Sequence, residues 1–180
     1  MKKTMFLFLT LMMLGINSVT AQSHIGKWVV GQEFSKLMND DPNEERSLGL
    51  EFTAKDINLQ ITVKSSDEEM TMKCMFTIPG TYTKSGKNVV AKYETDKATI
   101  KIIDIKTNDA EMNELLASKE GRDMVFKMIE TQAGSQIKSQ INGFDEFLSL
   151  FGNFTIEEVT ASELTLGMKE GSMISFERTN

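Results

Sequence analysis

The chain has 180 residues, one histidine, one cysteine and a formal net charge of −6. That length suffices for one domain with its own hydrophobic core. A lone cysteine excludes an internal disulfide, a lone histidine argues against His-based catalysis or a His-rich metal site, and basic residues without a run or stripe argue against nucleic acid, whose phosphates demand clustered Lys and Arg.

The first 21 residues read as an export signal. Lys2 and Lys3 form a positive start, residues 5–16 an apolar run too short to cross a bilayer, and Val19-Thr20-Ala21 a small-x-small cleavage site. The competing reading is a buried N-terminal helix. Cleavage after Ala21 leaves a single domain, residues 22–180, which is more acidic by two charges. No cysteine follows the apolar run directly, so no lipoprotein anchor is expected. The expectation is a periplasmic or extracellular protein with no membrane span in the mature chain.

Residues 26–34, Gly-Lys-Trp-Val-Val-Gly-Gln-Glu-Phe, alternate like a strand, with the only tryptophan, Trp28, on the same face as Val30 and Phe34. Residues 35–45 are rich in turn formers and charge and read as a connection, with room for a short helical turn. A meander follows. Leu48, Leu50 and Phe52 alternate with polar residues, then Ile57, Leu59, Ile61 and Val63, then Met70, Met72, Cys74, Phe76 and Ile78, with turns at 55–56 and 65–68. Each run predicts an antiparallel strand with one buried and one wet face. Pro79-Gly80 predicts an edge, a bend or a bulge, since proline cannot donate to a ladder. Strands resume at residues 81–83 and at Val89, Ala91 and Tyr93. In Ile100, Ile102, Ile103 and Ile105 the parity switches, which predicts a bulge of the kind barrel closure requires, or a strand buried on both sides under the helices that follow.

From about 108 to 151 the period becomes helical. Asn108 or Asp109 can cap a helix holding Met112, Leu115 and Leu116 and ending before Gly121. A second helix is expected from near Asp123, with Val125, Ile129, Ala133, Ile137 and Ile141 apolar and Gly134-Ser135 as a kink or break. A short third helix carries Phe144, Phe147, Leu148 and Phe151 on one face, stopped by Gly152. That face is expected to pack on the barrel, near Phe154 and the 100–105 run. Three closing strands follow, at 154–160, 163–168 and 173–178. The sum is a mainly β chain of nine or ten strands: a single antiparallel β-barrel or strongly curled sheet, with one helical insertion before the last three strands.

The sequence offers little chemistry. Glu157 and Glu158 are adjacent on a strand and point to opposite faces, so they make no carboxylate dyad. Asp40-Asp41 and Asp67-Glu68-Glu69 sit in turns, and no glycine-rich phosphate loop, CxxC or EF-hand spacing occurs. No enzyme, metal or cofactor is expected. Cys74 is either a reactive thiol or intermolecular bridge, or a small buried hydrophobe; no His or basic cluster adjoins it in sequence to lower its pKa, which favours the hydrophobe. Methionine is abundant, with 13 in the chain, of which only Met1, Met5, Met12 and Met13 lie in the leader. Its flexible thioether fills gaps in a core or adapts to varied apolar ligands.

Gly26-Lys27-Trp28 at the start and Arg178 at the end resemble the lipocalin-like, or calycin, superfamily, in which a Gly-x-Trp opens the barrel and a basic side chain near the C-terminus stacks over that tryptophan. Gly80-Thr81-Tyr82 and the closing run from Val159 to Arg178 look like the small exported lipocalin-like domains of Gram-negative, Bacteroides-type bacteria, most of which have no assigned function. The resemblance spans roughly 26–178; the helical insertion departs from a simple lipocalin, and could plug, cap or flank the barrel. It implies a structural latch of Trp28 and Arg178. It also implies a small apolar ligand or lipid inside the barrel, with Leu59, Ile61, Met70, Met72, Phe76, Phe144 and Phe147 as candidate ligand-binding residues. The alternative is a filled barrel acting as an interaction or inhibitor module toward an envelope or secreted protein.

Overall fold

A computed structural model describes residues 23–31, 41–140 and 145–179, without the side chains of 135–140 and 145–147. The leader, Phe34, most of the 35–45 connection and Phe144 lie outside the described residues. Among the described residues there are nine strands: β1 (Gly26–Val30), β2 (Glu44–Phe52), β3 (Asp56–Ser66), β4 (Met70–Ser85), β5 (Asn88–Tyr93), β6 (Thr99–Thr107), β7 (Asn153–Val159), β8 (Glu163–Met168) and β9 (Met173–Thr179). Between β6 and β7 come α1 (Ala110–Ala117), α2 (Lys119–Gln140) and α3 (Asp145–Leu150). Glu44 and Glu45 thus begin a strand rather than end a connection.

All pairings are antiparallel. β1, β2, β3, β4, β5, β7, β8 and β9 join in that order, and β9 returns to β1 to close an eight-stranded barrel. Closure removes the exposed edges of the ring. β6 is not in the ring; it pairs with the first half of β4.

The sixteen-residue β4 makes this branching possible. It runs unbroken through Pro79-Gly80, where it changes partner: β6 reaches only to Thr77, and β5 begins opposite Gly80. Pro79 faces the gap between the two partners, its carbonyl accepting the Glu94 N–H at 2.8 Å, so its missing donor breaks no bond to either. A Cβ on Gly80 would lie 2.6 Å from the Lys92 carbonyl oxygen, so only glycine lets β5 approach this closely.

The parity switch in β6 is a bulge. Lys73 pairs with Asp104 and Cys74 with Ile102, which leaves Ile103 without a partner. Ile102 and Ile105 are buried on one face and Ile103 is 42% exposed. Because β6 lies outside the ring, the bulge serves the face under the helices and not barrel closure.

Asp109 caps α1, its Oδ1 accepting the Met112 N–H at 2.7 Å. α1 ends at Ala117, before Gly121 as expected, but the second helix starts earlier than Asp123. α2 begins at Lys119, preceded by Ser118, whose Oγ accepts the Gly121 N–H at 2.9 Å. Gly121 is the point of closest approach to α1, since a Cβ there would meet the Leu115 carbonyl oxygen at 2.2 Å. Gly134-Ser135 does not break α2, which continues to Gln140; open space surrounds Gly134.

Two cores result. The first fills the ring with Trp28, Leu50, Phe52, Leu59, Phe154, Leu166, Phe176 and their neighbours, and takes in Leu148 and Phe151 from the end of α3. The second joins Cys74, Ile102 and Ile105 to Val125 of α2, with Met112, Leu116 and Ile129 against them. The 100–105 run therefore packs under α1 and α2, whereas Leu148 and Phe151, among the described side chains, join the core of the ring. Val63 and Phe76 pack against both cores.

Two predictions follow from the branch. Gly80→Ala should destabilise by about 1–3 kcal/mol through overpacking against β5, measured by urea denaturation. Glu130 of α2 accepts the Ile102 N–H at 2.8 Å, guarding β6 on its open side. Glu130→Ala should cost about 1–3 kcal/mol for the buried donor left unpaired and increase self-association, read by analytical ultracentrifugation; an unchanged sedimentation profile and midpoint would show that the edge needs no guard.

Candidate functional site

The register of the meander carries the interior face of the barrel past the end of the ring. β1 pairs with β2 only over Gly49 to Phe52, and β5 with β4 only over Gly80 to Ser85. β2, β3 and β4 stay paired well beyond those points, as far as Glu44↔Ser65 and Ser66↔Thr71. The residues that continue the interior parity along this tongue are Glu44 and Arg46 on β2, Val63 and Ser65 on β3, and Phe76, Cys74 and Met72 on β4. With Ile61 they line a groove of about 420 Å3. Its floor is apolar and its rim polar, and it lies where the barrel core meets the core under the helices.

Glu44 and Arg46 form an ion pair on the rim, two residues apart on one face of β2. Half of the Arg46 side chain is exposed, so solvent screens the pair and it adds little to stability. Cys74 is buried, and burial, followed by the negative charge of Glu44, pushes its thiol above the ordinary value. It is a protonated, poorly nucleophilic thiol that packs as a small hydrophobe.

Of the residues singled out in the sequence, Ile61, Met72 and Phe76 come together in this groove. Leu59 does not; it is fully buried in the ring. Met70, the first residue of β4, is exposed. The side chains of Phe144 and Phe147 lie outside the described residues. Val63 and Cys74 shared the parity of chosen neighbours and were readable from it. Glu44 and Arg46 were not, because charged residues beside a turn-rich stretch carry the signature of a loop.

At the other ends of β2, β3 and β4 the barrel is closed by the residues before β1. The Arg178 guanidinium lies 4.2 Å from the centre of the Trp28 ring, and Trp28 is 1% exposed. Arg178 also donates to the carbonyls of Ser23 at 2.9 Å and Ile25 at 3.5 Å, and the Trp28 indole N–H donates to the His24 carbonyl at 2.8 Å. The chain bends into β1 at Gly26, whose φ of 143° only glycine readily adopts. Stacking of this kind contributes about 0.5–1 kcal/mol at a solvent-facing site; the burial of Trp28 contributes more.

Among the described residues no cluster of three or more His, Cys, Asp or Glu could hold a metal ion, and no helix is long and apolar enough to cross a membrane. A scan of the chain against models of known protein families finds no match, and a search among curated proteins finds none.

Trp28→Ala should cost about 3–5 kcal/mol, as for other large aromatic side chains removed from a core. Arg178→Ala should cost much less, because it removes stacking and two carbonyl contacts but opens no cavity. Equilibrium denaturation of both variants, with Trp28→Ala followed by circular dichroism, checks the order; equal losses would place the energy of the latch in the cation.

Proposed function

We propose that this is an exported, non-enzymatic binding protein of lipocalin-like kind that takes a small apolar molecule or lipid in the groove at the end of its barrel. The observation that carries this reading is the continuation of the interior face into a half-open groove of about 420 Å3, floored by Ile61, Val63, Met72, Cys74 and Phe76. Clefts for small ligands are typically apolar with a few polar groups, in the range of roughly 300–1,000 Å3. The ligand sits at the mouth rather than at the centre, because the ring is filled by one continuous cluster of its own side chains. Met72 lends the floor adaptability, and the Glu44–Arg46 pair offers a polar end of the ligand a place at the rim.

Kinship to the lipocalin-like superfamily is supported by the closed eight-stranded meander and by Arg178 over Trp28 at its sealed end. Export is supported by the composition and order of residues 1–21, and it puts the mature protein, beginning at Gln22, in the periplasm or outside the cell.

Ser65→Trp tests the site. Ser65 is an exposed residue at the groove, so a large side chain there fills space without removing core. It should weaken binding of the apolar fluorophore N-phenyl-1-naphthylamine about tenfold, or about 1.4 kcal/mol, with little change in the denaturation midpoint. Probe binding that is absent in the parent protein, or unchanged in the variant, would overturn the groove reading. It would favour the alternative, an interaction module toward an envelope or secreted protein. That reading has its own observation: Met124 and Met128, four apart on α2, are both more than half exposed, as befits an adaptable contact face.

A further inference from the structure

The residues just before β1 do more than precede the barrel. Ser23, His24 and Ile25 are held at four points: two carbonyls by Arg178, the carbonyl of His24 by the Trp28 indole, and the His24 ring by Tyr82. The His24 contact has a defined polarity. The Tyr82 hydroxyl donates to the Thr53 carbonyl at 2.8 Å. Its oxygen is therefore left to accept, and His24 Nε2, 2.9 Å away, must be the donor. The neutral imidazole satisfies this with its proton on Nε2. The ring is packed edge-to-face against Phe52 and Tyr82, with centroids 5.5 and 5.8 Å away, and Phe52 belongs to the core of the ring.

We propose that residues 23–25 form an acid-released strap across the base of the barrel, with His24 as its pH-sensitive element. A second proton, on Nδ1, would place a partly desolvated cation on a site already bordered by positive charge. Lys84 and Tyr82 face it from β4, and Arg178 of β9 grips the strap on either side of it. Asp56, at the start of β3, is the acidic group near Tyr82. Burial first, and then the charge of Lys84, hold the His24 imidazole below its ordinary value of 6.5. Below about pH 6.5 the released strap, with a solvated histidine, binds more protons than the closed one, so falling pH favours release. The closed strap keeps its full advantage above that pH. It loses advantage progressively as pH falls from there toward the lowered value of the closed state. Release breaks the bond from Trp28 and uncovers the base of the barrel beside Phe52.

The chain has one tryptophan and one histidine, so both ends of the device report without ambiguity in tag-free protein. Trp28 emission should shift reversibly to longer wavelength as pH falls from 8 to 4.5, with a midpoint below 6.5, while far-ultraviolet circular dichroism stays constant. The His24 ring resonances should titrate with the same midpoint. In His24→Phe, which keeps the ring contacts and cannot titrate, the emission shift should vanish. His24→Gln, whose amide can still donate to Tyr82, serves if the phenylalanine variant fails to fold. A flat emission profile in the parent protein, or the same transition in parent and variant, overturns the proposal. A transition that coincides with loss of circular dichroism in both proteins also overturns it, because it would be acid unfolding driven by carboxylates.

Discussion

The structure depends on one strand having two successive partners. β4 is too long for either neighbour alone. β3 runs along both halves of one edge; on the other edge the second half pairs with β5 in the ring and the first half with β6 outside it. The change occurs at Pro79-Gly80, where one residue has no donor to offer and the next has no side chain to obstruct. A backbone group left unpaired at that junction would cost about 1–3 kcal/mol; Glu94 answers the Pro79 carbonyl and removes the cost. The barrel, the branch that carries α1 and α2, and the groove between them all follow from where this exchange is set.

Much of the ring was legible in the sequence. From Leu48 to Ile78 a period of two persists through three runs with short turns between them, and only an antiparallel meander buries all of those residues on one face. The bulge at Ile103 was visible for the same reason, as a break in parity. Its purpose was not, because periodicity reports which face a residue takes and not which neighbour covers it. α1 ends before Gly121 as its sequence suggested, but the start of α2 and its passage through Gly134 did not show. Gly121 and Gly134 look like punctuation, yet one is a point of close packing and the other a solvent-facing residue within a helix that carries on. Ser118, an ordinary N-cap, was the better signal.

The candidate groove was half legible. Ile61, Met72 and Phe76 belonged to recognised apolar faces, and the assumption that such faces always point to the centre of a barrel assigned them to its interior. Strand offset corrects this. β2, β3 and β4 outrun their neighbours, so the same face that is core at Leu50 and Leu59 becomes a half-covered wall at Val63 and Phe76. Glu44 and Arg46 then mark the place where the interior parity meets water, which is why charge appears there on a face that is otherwise apolar.

The two ends of the barrel are built on opposite principles. At the base the three carbonyls of the strap and the His24 ring meet partners of fixed geometry around a tryptophan with almost no exposure, so the arrangement is specific and, on the strap proposal, responds to the protonation of one ring. At the groove the contacts are apolar, and the residues that border it, Val63 and Phe76, are shared between two cores and fully owned by neither. Non-directional contacts of that kind tolerate change in what they pack against. A cavity inside the ring would weaken a domain that has no disulfide to support it, at about 24 cal/mol per Å3 of void. A half-open groove beside the filled ring imposes no such cost, since the ring's core is closed by its own side chains whether or not the groove is occupied. The branch at β4 thus opens a groove outside the barrel while the barrel itself remains full.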